Sequence, residues 1–155
     1  TTFETFGTYR NMIDPDTSRI GTPPIEFYRD MLQLDIGSTG AASFSICRVE
    51  PRPLVVDTTE YHNSSAEGTL PLDNDVLIHV APATPPDEVP VHLIRVFRIP
   101  VGTMVCLRPG VWHHAPMALN NRPANVLIVL PERTYATDCT VVELEPGQQV
   151  QVEAP

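Results

Sequence analysis

Lysine is absent from the 155 residues. Without it there is no Schiff-base or pyridoxal-phosphate lysine, no P-loop lysine beneath a phosphate, and no kinase-type Lys–Glu pair. Positive charge is scarce altogether: ten Arg stand against nineteen Asp and Glu, for a formal net charge of −9. A nucleic-acid groove or an anionic membrane surface needs clustered cations, so neither is expected as a partner. Long apolar runs are also missing. The longest, around Val76–Val80 and Val126–Leu130, fall far short of the roughly 20 residues a membrane-spanning helix needs. No charged-then-apolar leader opens the chain, and the expectation is a soluble, cytoplasmic protein. The three cysteines, Cys47, Cys106 and Cys139, are isolated and odd in number with no C-x-x-C pair. That fits reduced, structural thiols better than a disulfide framework. At this length the prior is a single domain, here residues 1–155, burying roughly two thirds of its surface.

What the chain does have is proline, seventeen in all, and a repeated period of two. Apart from one short helical turn near Thr2–Thr8, no stretch sustains apolar residues at helical spacing. Instead Phe44 and Ile46 alternate with Ser43 and Ser45, and Leu93, Arg95, Phe97 and Ile99 alternate with His92, Ile94, Val96 and Arg98. Short β-rich runs follow at Asp75–Ala81, Thr103–Leu107, Val111–Met117, Asn125–Leu130 and Thr140–Leu144. Prolines fall between the runs, where a missing N–H does no harm. Many short, closely spaced strands predict an all-β sandwich or barrel. Asp14–Pro24 and Pro82–Pro90 read as long loops, the second as a protruding hairpin tip. The tail Glu145–Pro155 reads as a last edge strand or a frayed end.

Two clusters carry the chemistry. In the first, Glu60-Tyr61-His62 is followed by Glu67 and Asn74. Residues two apart on a strand share a face, so Glu60 and His62 point together, and a hairpin return would bring Glu67 beside them. Such nitrogen and carboxylate donors suit a divalent first-row metal, Ni, Zn, Mn or Fe, without choosing among them. The second cluster is Gly102, then Arg108-Pro109-Gly110-Val111-Trp112-His113-His114-Ala115-Pro116. Adjacent strand residues face opposite ways, so His113 is expected in the site, with His114 structural and Trp112 in the core on the other face. His79 and His92 read as satisfied core or edge histidines. Asp73 and Asp75 bracket a turn. Arg48 shares a strand face with Phe44 and Ile46, which is expected to be the buried face. A buried charge needs a partner, either an internal carboxylate or a small anionic ligand held by the guanidinium fork.

The two clusters in order resemble the two halves of the cupin signature. Glu60 stands where cupins usually have the first His, and Met117 where they usually have Asn. A closer resemblance, over nearly the whole chain, is to the ureidoglycolate lyase (formerly hydrolase) family, a cupin-fold branch. It is carried by Phe6-Gly7-Thr8-Tyr9-Arg10-Asn11-Met12-Ile13-Asp14, Ile46-Cys47-Arg48-Val49-Glu50-Pro51-Arg52 and Glu60-Tyr61-His62 with Thr69-Leu70-Pro71-Leu72. Val111-Trp112-His113-His114-Ala115-Pro116 and Arg133 with Asp138-Cys139 complete it. Where that family commonly carries Gln, this chain has Glu67.

The resemblance implies a cupin-like double-stranded β-helix, a jelly-roll barrel, that releases urea from ureidoglycolate to leave glyoxylate in purine breakdown. The residues read independently are compatible with that chemistry: His62, Glu67 and His113 are the expected catalytic residues, with Arg48 and Arg52 offered to a small anionic substrate, while Tyr9 and Arg133 join the substrate-binding set only on the resemblance. A divalent metal would be held by His62, Glu67 and His113 with Glu60 optional, while a metal-free site would bind substrate through the same residues by hydrogen bonds. Another metal-assisted cupin enzyme acting on a small carboxylated metabolite and a non-catalytic small-acid-binding cupin are the alternatives. Homodimer formation is expected because cupin barrels often pair, and an exposed edge strand invites it.

Overall fold

The structure, a computed structural model, describes residues 1–15, 18–38, 40–86 and 88–155. After a 3-10 turn at Phe3–Thr5, where a short helix was expected, the regular structure of the described residues is nearly all strand, with two more 3-10 turns at Val91–Leu93 and Pro146–Gln148. In order these are β1 (Gly7–Asn11), β2 (Arg19–Thr22), β3 (Ile25–Tyr28), β4 (Ala42–Val49), β5 (Val55–Val56), β6 (Thr58–Tyr61) and β7 (Glu67–Pro71). Then come β8 (Val76–Val80), β9 (Arg95–Ile99), β10 (Thr103–Leu107), β11 (Met117–Ala118) and β12 (Ala124–Pro131). The one α-helix among the described residues, α1 (Thr134–Thr137), precedes β13 (Thr140–Glu143) and β14 (Val150–Gln151). Neither it nor any other described helix is long and apolar enough to cross a membrane.

One antiparallel sheet has the order β1-β10-β7-β12-β4. Facing it, β11-β8-β9 is extended by backbone bridges at Ala81↔Trp112 and Glu60↔His113, which carry the sheet on to β6 and its partner β13. This is the all-β, cupin-like jelly roll the sequence predicts. The strand β8 is buried along its whole length, which explains why Val76–Val80 carries four apolar residues broken only by His79. Val76, Ile78 and Val80 enter the cluster between the sheets with Phe6, Val105 and Val126. Leu77 and Ala81 enter a second cluster behind the sheet, with Trp112, Tyr61, Met117 and Leu144. A strand covered on both faces has no polar alternation to keep.

Trp112 lies at the centre of that second cluster, as expected. Its ring meets Tyr61 edge-on at 4.7 Å, and its Nε1–H donates to Thr84 Oγ1 at 2.8 Å. His79 is the satisfied core histidine the sequence suggests. Thr59 Oγ1 donates to the His113 carbonyl at 3.2 Å, so it must accept from His79 Nε2–H at 2.9 Å. His92 is exposed.

Three expectations are corrected. Asp14–Pro24 is not wholly loop: Arg19–Thr22 is β2, and it pairs with β3 across the Pro23-Pro24 turn. The Gly and Pro residues hide its alternation; Asp16 and Thr17 lie outside the described residues. The face of β4 is the reverse of the one expected, with Phe44 69% and Ile46 56% exposed while Cys47 packs on the core. Period two fixes which residues share a face but not which face is inside, and here the small residues point in. Finally, β6 and β7 do not pair as a hairpin; they belong to opposite sheets, and residues 62–66 cross between them. The Pro82–Pro90 segment does join the antiparallel pair β8 and β9, with Asp87 outside the described residues.

Burial holds the His79 pKa down at about 3, from an ordinary 6.5. The unfolded chain therefore binds the proton first as pH falls. Stability carried by neutral His79 is complete above about pH 6.5 and drains away between 6.5 and 3, by up to about 1.4 kcal/mol per pH unit. His79→Gln is expected to flatten this part of the stability–pH curve, measured by urea melts at successive pH values; an unchanged slope contradicts the assignment.

Candidate functional site

Between the sheets, a cavity of about 270 Å³ is lined by Glu60, His62, Glu67, Thr69, His113, His114 and Cys139, under walls that include Ser43, Ser45, Ile128 and Leu130. Each polar residue arrives by a different route. Glu60 sits in β6 and is tied to His113 by a pair of backbone hydrogen bonds of 2.6 and 2.8 Å. His62 follows β6 directly, and its carbonyl accepts from the Gly110 N–H at 2.6 Å. Gly110 has φ +81°, the left-handed turn that delivers Trp112 and His113 to the sheet. Glu67 opens β7 on the opposite sheet.

The imidazoles are aimed by their far nitrogens. His62 Nδ1 lies 2.8 Å from the Asp138 carbonyl and His113 Nδ1 2.9 Å from the Val111 carbonyl. A carbonyl only accepts, so both Nδ1 atoms carry hydrogen. The two Nε2 atoms converge on one carboxylate oxygen, Glu67 Oε2, at 3.0 and 2.9 Å. Thr69 Oγ1 donates to the other oxygen at 3.3 Å. With neutral rings, three lone pairs would meet at one point inside the protein, which requires either a shared proton or a cation. Burial alone would push His113 down, but the charge of Glu67, its hydrogen bond and the Val111 carbonyl hold it up at about 9. Burial likewise pushes Glu67 up, and the charge and hydrogen bond of His113, with the hydrogen bond from His62, overcome it and keep the carboxyl well below its usual range.

The same convergence fits a divalent ion. Two donors at about 2.1 Å from one ion and at right angles stand about 3.0 Å apart, the spacing seen here between Glu67 and each histidine. Among the described residues, Glu60, His62 and His113 each offer a donor atom within 4.8 Å of the other two. Nδ1–H held by a carbonyl is also the usual arrangement behind a metal-binding histidine. Glu60 Oε1 lies 4.0 Å from His113 Nε2, and Glu60 Oε2 accepts from the Cys139 thiol at 3.3 Å. Burial and the Glu60 charge push that thiol up to about 12, so it is a hydrogen-bond donor and not a nucleophile.

A family model for ureidoglycolate lyase matches residues 1–153. This chain belongs to the ureidoglycolate lyase family. No curated protein matches it. Among solved structures it is similar to a Bacillus subtilis oxalate decarboxylase, at 16% identity and TM-score 0.47 over 66% of this chain and 24% of that one. It is also similar to the Lactobacillus farciminis oxalate decarboxylase in its formate complex, at 16% identity and TM-score 0.47 over 79% of this chain and 37% of that one. The chain thus spans between 24% and 37% of the length of these oxalate decarboxylases.

Against the sequence expectations for this lyase-family site, the structure brings Glu60, His62, Glu67 and His113 together. Arg133 lines the cavity from its exposed side together with Tyr135, with Thr134 buried between them. Arg48 does not face inward: it lies on the exposed side of β4, paired with Glu50 at 3.2 Å. Arg52 spends its guanidinium on the carbonyls of Pro116 and Ala115, at 2.9 and 3.2 Å, fixing the loop after the histidines. Tyr9 is on β1, edge-on to Phe3.

His114 corrects the expectation that only one of the paired histidines can reach the cavity, because both line it. The register slips by one residue between Ala81↔Trp112 and Leu77↔Met117, so a bulge in this stretch breaks the strict alternation. Burial pushes His114 down. Period-two spacing from Glu67 could have found Thr69. Nothing in the spacing pointed to Cys139, which reaches Glu60 only because β13 pairs with β6.

Without metal, the raised His113 pKa contributes stability that is complete below about pH 6.5 and lost as pH rises through about 9. Glu67→Gln is expected to move the His113 NMR titration to lower pH and to remove that alkaline loss. Titration of His113 unchanged by the substitution would refute the pairing.

Proposed function

We propose that this chain acts as a ureidoglycolate lyase, expelling urea from ureidoglycolate to leave glyoxylate. The observation that supports it is the convergence of Glu60, His62, Glu67 and His113 in one cavity of a chain from that family. In the reaction the substrate hydroxyl loses a proton as its oxygen forms the carbonyl, the C–N bond breaks, and the departing urea nitrogen gains a proton. One group that takes the first proton and returns it to nitrogen balances the step. Glu60 has the position for it: its carboxylate lines the cavity, stands outside the two-histidine contact that engages Glu67, and is steadied by the Cys139 thiol.

His62, Glu67 and His113 are the residues proposed to hold a divalent ion, Ni, Zn, Mn or Fe, with Glu60 beside it. That ion would supply the charge that lowers the pKa of the substrate hydroxyl. Arg133 at the mouth is the cation offered to the substrate carboxylate. Arg48 faces away from that cavity, and Arg48→Lys is expected to leave carboxylate affinity unchanged. The proposal keeps a cytoplasmic homodimer: β4 forms an edge of its sheet and exposes Phe44 and Ile46, which suits pairing with a second copy.

The test is a paired assay of urea and glyoxylate release from ureidoglycolate, with elemental analysis of the purified protein. His113→Ala is expected to lower turnover by about 10²- to 10⁴-fold with the fold retained, and His92→Ala to leave it intact. No release of either product with Mn²⁺, Ni²⁺, Zn²⁺ or Fe²⁺ supplied would end the lyase reading.

A further inference from the structure

We infer that Asp138 is a positioning residue that fixes the ring orientation and tautomer of His62. Its carboxylate accepts the Asn63 N–H, at 3.0 and 3.1 Å to its two oxygens, and the Ser64 N–H at 2.8 Å. Its own backbone carbonyl accepts His62 Nδ1–H at 2.8 Å. One residue therefore holds both ends of a single hydrogen bond: the side chain anchors the turn that follows His62, and the carbonyl receives the ring. The two segments are 76 positions apart in the chain. The β6–β13 ladder brings them side by side from Thr140↔Tyr61 onward, and the carboxylate adds the local tie that sets this carbonyl in front of this imidazole. The next residue repeats the pattern, since the Cys139 thiol donates to Glu60 Oε2. A two-residue stretch immediately before β13 thus addresses both members of the Glu60–His62 pair.

A residue whose role is only to join loops would not alter the ring. Asp73 supplies the comparison. Its carboxylate also ties two distant segments, accepting the Asn125 N–H at 2.8 Å and the Asn125 side-chain amide at 2.6 Å, and it does not line the cavity.

The inference rests on the reading of His62 as a site residue, and the experiment separates the two. In metal-free protein labelled with ¹⁵N at histidine, His62 of the unaltered chain is expected to show a protonated Nδ1. Asp138→Ala is expected to lose that signature and Asp73→Ala to keep it. Titrated with Mn²⁺ against a competing chelator, Asp138→Ala is expected to bind about 10- to 100-fold more weakly, the usual loss when a partner behind a metal-binding histidine is removed. Asp73→Ala is expected to bind as the unaltered chain does. Asp138→Asn keeps one acceptor oxygen for two amides; it should fall between the two and carries the test if Asp138→Ala does not fold. An Nδ1 signature and Mn²⁺ affinity untouched by either Asp138 substitution overturn the inference. If the unaltered chain binds no Mn²⁺, the metal reading fails, and the ¹⁵N comparison alone decides the role of Asp138.

Discussion

Everything at this site depends on where two hydrogen atoms sit. Because His62 and His113 each give Nδ1–H to a backbone carbonyl, each must turn its other nitrogen toward Glu67, and the three donor atoms meet at a point shielded from water. An isolated buried carboxylate would protonate to escape its desolvation cost. Here it stays ionised because a proton or a cation is kept beside it. The barrel supplies the geometry: Glu67 from one sheet, His113 from the other, and His62 from the crossing between them.

That division between sheets also explains the two cores. Side chains of β8 alternate between the interior cluster and the cluster under Trp112, so the strand beside the histidine segment is packed from both sides. Thr59 and His79 sit behind the site, hydrogen-bonded in series to the His113 carbonyl. The backbone that carries the His113 imidazole is thereby backed by a hydroxyl, a buried histidine and a close-packed layer. Interiors of this density do not deform smoothly, which favours a single ring position.

Much of this was legible in the residues. The β-rich runs gave the class, and Thr103–Leu107 coincides with its strand. Two apart on a strand was enough to pair Glu60 with His62, and opposite facing of adjacent residues was enough to choose His113; Glu67 was expected beside them through a hairpin return, and reaches them instead from the opposite sheet. The misreadings share a physical origin. Alternation on β4 identified a face but not its direction, because Ser43, Ser45 and Cys47 line a cavity where large apolar residues were expected to fill a core. His114 was set aside by a rule that holds for regular strands and fails at a bulge, and no pattern in a single chain announces a bulge. Asp138 and Cys139 act through a strand pairing between distant segments, which periodicity cannot see.

The stretch from Pro131 to Cys139 has a double character. At one end Arg133 and Tyr135 shape the mouth of the cavity; at the other, Asp138 and Cys139 steady residues on its floor. Access and chemistry are therefore written into the same nine-residue span, and a change made there to admit a different substrate also disturbs the groups that would transform it. The wall formed by β4 is carried on a separate strand. A lineage, or an engineer, seeking a new substrate on this scaffold has more freedom at Ser43, Ser45 and Cys47 than at the loop that looks like the natural place to start.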